Sequence, residues 1–241
     1  MFLFTTADYS EWEIVLIFFK YFLIAGGLYL VYYRFFLNRF IAKKLQPQIP
    51  ERKQVLSEIK YSLSTLMIYA IAGAGIWLAK QNGYTLIYND WKEYGVFYFF
   101  ASFPLMVFMN DTYFYWVHRF LHLPAIFPVA HKVHHRYKSP SPWAAFAFHP
   151  LEAILETLIL PLIVFTIPAH PFIIFLFILH MFVINILGHL GFETYPKWFF
   201  KNKICRWINT TTYHDKHHQV FNANYGLYTT FWDRIMRTLK Q

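Results

Sequence analysis

Residues 61–79 read YSLSTLMIYAIAGAGIWLA, nineteen positions without a charged side chain. About 20 such residues cross the hydrocarbon core of a bilayer as a helix, so this stretch places the chain in a membrane. Upstream, a block from about Trp12 to Leu37 is mostly apolar, with Glu13 and Arg34 near its ends and Lys20 the one charge between them. Downstream, Val96 to Met109 is apolar and continues past Asp111 toward His118. The block from Ala153 to Leu187 is too long for one span and carries Pro168 and Pro171 near its middle. It therefore divides into two helices meeting at Pro168-Ala169-His170-Pro171. The first limb, Leu151 to Ile167, is barely long enough to cross, which fits a tilted or re-entrant pair. The expected fold is an all-α integral membrane bundle of about three spans plus a helical hairpin, with a histidine-rich helical cap. Residues 1–241 read as a single membrane-embedded domain.

Composition agrees. Of 241 residues 57% are apolar and 22% aromatic, and only 15% are charged, against roughly 25% in soluble domains. That excludes a disordered chain, a coiled coil and a disulfide-rich secreted module. The one cysteine, Cys205, cannot form an internal disulfide or a thiolate metal site. Asp8, Glu11 and Glu13 stand where a cleavable signal would need basic residues.

The net charge of +9 has a pattern. Arg34, Arg39, Lys43, Lys44, Arg52, Lys53 and Lys60 lie between the first two spans, and twelve more basic residues lie in 118–149 and 188–241. The loop after residue 79 has only Lys80 and Lys92, opposed by Asp90 and Glu93. One multi-pass topology puts nearly all positive charge in the cytoplasm. The charges follow membrane flanks and anionic lipid headgroups, so nucleic acid is not an expected partner.

Twelve histidines are the chemical signal. His118 and His122 form H-x-x-x-H; His131, His134 and His135, and again His214, His217 and His218, form H-x-x-H-H. Residues three or four apart share a helix face, so each group aims two or three imidazoles into one space. Packed imidazoles without a metal need a partner for every nitrogen and repel one another once protonated. Neutral imidazoles around a metal avoid both problems. Eight exceed what one ion takes, so two adjacent ions are expected, with iron, copper and zinc all open on ligand chemistry. Asp111, Tyr115, His118 and His122 make one helical stripe, and an ionisable group near a span reads as functional. Asp111 and Tyr115 are therefore the candidate catalytic pair, hydrogen-bonding ligand imidazoles or water. Asp215 sits inside the last histidine group and is a further candidate. His170 and His180 read as structural. The metals should rest at the cytoplasmic face of the membrane, above a cavity that a lipid can enter.

These three groups resemble the histidine boxes of the fatty acid hydroxylase superfamily, which includes the sterol desaturases. The resemblance covers about residues 105–238. It extends to Asp111-Thr112-Tyr113-Phe114-Tyr115-Trp116, His149-Pro150-Leu151-Glu152, Asn224-Tyr225-Gly226 and Phe231-Trp232-Asp233-Arg234. Ser141-Pro142-Trp143 through His149-Pro150 is most similar to sterol C-5 desaturases. The resemblance implies a non-haem centre of two iron ions that uses dioxygen and two external electrons to hydroxylate or desaturate a lipid C–H bond. It carries the ligand role to His118, His122, His131, His134, His135, His214, His217 and His218, and to His189 as a further ligand. Some hydroxylases carry another histidine where this chain has Asn185, whose amide is either a weak ligand or leaves one iron more open. His149 matches a His-Pro element, as ligand or as a residue behind one. With no G-x-G-x-x-G fingerprint, electrons must come from a small cytochrome, a ferredoxin or a reductase. Two other readings compete. A membrane zinc hydrolase would need a general base as in H-E-x-x-H, which is absent, and a haem or metal-ion carrier needs far fewer histidines.

Overall fold

The computed structural model describes residues 11–240, with side chains from Val15 onward; Asp8 lies outside the described residues. The helices are α1 (Glu11–Tyr29), α2 (Leu37–Phe40), α3 (Arg52–Gln81), α4 (Val96–Leu121), α5 (Pro150–Thr157), α6 (Ile159–Thr166), α7 (Pro171–Gly188), α8 (Lys197–Lys201), α9 (Thr211–Val220) and α10 (Phe231–Ile235). Among the described residues there is no strand, only three isolated bridges.

Local chemistry explains the boundaries. α1 runs on through a π-helical turn, Leu30–Phe35. α3 stops at Asn82-Gly83, where Gly83 takes a left-handed φ of 72°. Pro150 and Pro171 open α5 and α7, where a missing N–H costs nothing. The expected first limb of the hairpin is helical but breaks at Leu158. Pro161 has no N–H to bond the Thr157 carbonyl and its ring crowds that group.

Two sets of connections define two ends. Ile87 bridges Ala169, and Leu86 N–H donates to the Val164 carbonyl (2.8 Å), so loop 82–95 lies beside the 167–170 turn. At the other end Lys44 bridges Phe192, and Glu193 N–H donates to the Lys43 carbonyl (2.9 Å). Arg39, Lys43 and Lys44 are thus at the end of the bundle where α7 delivers His189.

Val15–Phe35, α3 and α7 are long and apolar enough to cross a membrane. Their outward side chains include exposed Phe19, Leu23, Ile71, Leu78 and Phe172, as lipid contact requires. α4, expected as a span, is a continuous 26-residue helix but is not among these three, since its second half carries Asn110, Asp111, His118 and Arg119. The spans pack around two cores. Ile76, Phe99, Met106, Ile163 and Phe177 fill the end away from the histidines. Tyr21, Leu66, Phe146, Phe182 and Ile186 lie nearer them. The second core anchors the 140–148 loop: Tyr21 Oη and Ser62 Oγ both donate to the Trp143 carbonyl, at 2.7 and 2.8 Å. Buried Glu58 accepts from Ser141 Oγ and from Gln54 Nε2.

Candidate metal centre

The histidines arrive from four places in the fold. α4 ends with His118 and His122, a compact turn of π- and 3-10 helix carries His131, His134 and His135, His189 caps α7, and α9 holds His214, His217 and His218. They form two sets. His118, His122, His131, His135 and His217 make one, and His134, His189, His214 and His218 the other, with ligand nitrogens in each within 4.8 Å of one another. Each H-x-x-H-H box is shared: its i, i+4 pair serves one set and its middle histidine the other.

Nitrogen positions fit cations. Neighbouring Nε2 atoms lie 2.9–3.2 Å apart in both sets. Metal–nitrogen bonds of about 2.0–2.1 Å space donors by about 2.9 Å at right angles and about 3.3 Å in a tetrahedron. The far nitrogens explain why these short contacts are not ordinary hydrogen bonds. Nδ1 of His118, His217 and His189 meets the carbonyls of Tyr225 (2.9 Å), Ala223 (2.6 Å) and Asn185 (2.8 Å). A carbonyl only accepts, so each Nδ1 carries the proton and each Nε2 presents a bare lone pair inward. His217 Nε2 nevertheless faces the Nε2 atoms of His122 and His135, and His118 Nε2 is buried without a partner. Lone pairs converging at 3 Å need a cation between them, and orienting bonds behind the ligands are what metal sites use.

Electrostatics point the same way. Burial, with neighbouring imidazoles adding to it, holds His131, His134, His135, His214, His217 and His218 well below the ordinary histidine range. Burial brings His189 down to about 4, although the Asn185 carbonyl favours its protonated form. The rings therefore stay neutral at physiological pH, as ligation requires.

The other candidates lie around this centre. Asp111 accepts from the N–H groups of Tyr228 (2.9 Å) and Thr229 (3.2 Å) and from Thr229 Oγ1. Tyr115 Oη meets Thr238 Oγ1 at 3.0 Å and Arg119 at 3.4 Å. Both tie α4 to the C-terminal segment that supplies the Tyr225 carbonyl. Asp215 accepts from Gln46 and Gln219, each at 2.6 Å. Asn185 donates its side-chain amide to the Ala145 carbonyl (2.7 Å) while its backbone carbonyl orients His189. His149 stands outside both sets and caps α5, its Nδ1 accepting from Leu151 N–H at 3.3 Å. His170 caps α7 in the same way, accepting from Phe172 N–H at 3.1 Å. His180 packs against Tyr228 and Phe103.

One residue was given no role by sequence reasoning. Glu152 Oε1 lies 2.8 Å from His131 Nδ1, with both side chains 2% exposed, and Oε2 has no partner. The signal was present in the sequence as a carboxylate in the first turn of a mostly apolar helix, two residues after Pro150. Asp233 is similar in kind: it accepts from the N–H groups of Tyr225 and Gly226, at 2.9 and 2.8 Å, and so fixes the loop behind His118.

A family model described as fatty acid hydroxylase matches residues 103–238. The chain is 32% identical over 191 residues to a human lathosterol oxidase, covering 78% of this chain and 62% of that protein. It is 34% identical over 184 residues to the Delta(7)-sterol 5(6)-desaturase erg31 of Schizosaccharomyces pombe, covering 76% of this chain and 59% of the relative. A second desaturase of that yeast, erg32, is 31% identical over 222 residues, covering 92% and 63% respectively. The chain thus spans about six tenths of the length of these curated relatives. No solved structure matches.

Proposed function

Because the chain belongs to the fatty acid hydroxylase family, we propose that it is a membrane di-iron oxidase that uses dioxygen and external electrons to hydroxylate or desaturate a lipid C–H bond. Sterol-like lipids are the first substrate class, from the names of its relatives, and fatty acyl lipids the second. The observation that carries the reading is the convergence of nine imidazoles, eight buried and His122 half-buried, in two adjacent sets, at the end of the bundle where Arg39, Lys43 and Lys44 lie.

His118, His122, His131, His135 and His217 would hold one iron, and His134, His189, His214 and His218 the other. Bound there, the irons supply the activation of dioxygen that an unactivated C–H bond demands and that redox-inert zinc does not offer. The chain's own residues do the rest. The Tyr225, Ala223 and Asn185 carbonyls and Glu152 hold the rings in one tautomer and orientation, so little rearrangement accompanies a change of metal charge. Burial of the rings excludes bulk water. Asp111 and Tyr115 act through the C-terminal segment they position rather than on the rings themselves.

The histidine end faces the cytoplasm in this proposal, by the distribution of lysine and arginine. An electron donor, a small cytochrome, ferredoxin or reductase, docks on exposed Lys197, Lys201, Lys203 and Arg206. Exposed Trp198 and Ile204 among these charges suit the headgroup layer, where a membrane-bound donor approaches. Neutralising the four charges should lower turnover without loss of metal; unchanged activity would remove the docking assignment. The reading as a whole is tested by expressing the chain in cells and profiling membrane lipids by mass spectrometry. A lipid that loses two hydrogens or gains one oxygen, and does neither with His217→Ala, is the expected result. Identical lipid profiles with wild type and variant would overturn it.

A further inference from the structure

The two histidine sets are built alike, and comparing them locates a vacancy in the pattern. The five-histidine set takes two i, i+4 pairs, His118/His122 and His131/His135, and the middle histidine of the last box, His217. The four-histidine set takes the pair His214/His218, the middle histidine His134, and His189 alone. The position four residues before His189 is Asn185. Its amide nitrogen is committed to the Ala145 carbonyl, so the side chain is turned to the loop.

A cavity of about 40 Å³ lies at this turn of α7, lined among others by Asn185, Gly188, Asn209, Thr210, Thr211 and His214. A single water needs roughly 10–15 Å³ of such space, so the cavity takes a water or a diatomic molecule and excludes a lipid. Thr210, 5% exposed, contributes a buried Oγ1 that has no hydrogen-bond partner. An unpaired buried hydroxyl beside a water-sized cavity marks a place for a small polar ligand. Gly188 lines it without adding a side chain, and a Cβ there would meet the His214 ring at an ordinary contact distance of 3.8 Å, so a larger side chain has to take up the cavity's space.

Resting on the di-iron reading above, we propose that this cavity is the port through which a small exogenous ligand, of the class of dioxygen or azide, reaches the four-histidine metal. In this proposal the five-histidine metal, which has one imidazole more, takes no such ligand. Asn185 and Gly188 set the opening, one by withholding a fifth imidazole and the other by leaving space.

The test is azide binding to the iron-loaded, oxidised protein, followed by the charge-transfer absorption of the azide complex, with iron counted in every sample. Wild type should bind one azide for two irons. Asn185→His, which supplies the missing imidazole, should weaken azide binding about tenfold or more while both irons remain, and Gly188→Val should do the same by filling the space. Two azides bound per chain, or Asn185→His and Gly188→Val both binding like wild type, would overturn the port with the di-iron reading intact. A wild-type protein that takes up no iron would overturn both.

Discussion

At the end of the bundle away from the histidines, α4, α6 and α7 meet through Met106, Ile163, Ile173 and Phe177, contacts that any well-fitted apolar set could make. At the histidine end the loops are irregular and each is held by a specific polar partner. Tyr33 donates to the Leu190 carbonyl, Asp233 caps the 225–226 backbone, and Glu152 backs His131. In the first region burial supplies the free energy and identity matters little beyond size. In the second, a buried donor or acceptor that loses its partner costs the full desolvation penalty, so identity is decisive. A short chain can thus carry a demanding centre, because the spans act as an undemanding platform for it.

The sharpest contrast is between the histidines of the two sets, proposed as ligands, and the histidines outside them. His134→Ala or His217→Ala should lower metal affinity about hundredfold or more, beyond the about 10–100-fold that residues behind ligands are worth, and abolish activity. His180→Ala should keep full metal and cost at most stability. Retention of metal by the first two would break the assignment.

Acid should separate the two regions next. Below pH 6.5 the unfolded chain binds protons that the buried neutral rings refuse, so metal-free protein should lose stability as pH falls from 6.5 toward about 4. His189 alone contributes about 3 kcal/mol across that window. Denaturation of the metal-free protein at a series of pH values, in detergent, checks this; a flat profile would contradict the burial of neutral rings. Glu152→Gln should then weaken metal binding about 10–100-fold, with both irons still bound at saturation and the spectrum of one altered. Identical spectra would make Glu152 a packing residue only.

Backbone changes come lower. Gly191 has φ of 75°, and a Cβ there would run into Tyr33 Oη and the Pro140 carbonyl. Gly191→Ala should therefore cost about 1–3 kcal/mol by forcing apart the junction next to His189. The smallest effect belongs to the exposed surface: Phe97, 87% exposed, should tolerate Leu within about 0.5 kcal/mol.

Much of this was legible in sequence, for physical reasons that differ by element. The uncharged run at 61–79 could only be a buried or membrane helix, and it lies within α3. Pro168 and Pro171 had to interrupt the last apolar block, and they bracket the turn before α7. The break at Leu158 was missed although Pro161 announces it, because the apolar pattern around it is unbroken. H-x-x-H-H spacing showed that imidazoles would share a face. It could not show that each box divides between two sets, since that depends on how α9 crosses the 131–135 turn. His149 and His170 look alike in sequence as His-Pro pairs, and both turn out to cap helices. Asp111 and Tyr115 share the ligand stripe of α4, yet tertiary packing gives their polar atoms to the C-terminal segment. Carbonyl partners such as Tyr225 and Ala223 leave no trace in side-chain identity.

Metal content of the purified wild-type chain, measured by elemental analysis with an absorption spectrum of the same sample, tests the central claim most directly. Two irons per chain, falling below two with His217→Ala, and no haem Soret band are what the nine-imidazole centre predicts. Zinc alone, a Soret band, or no bound metal would contradict it.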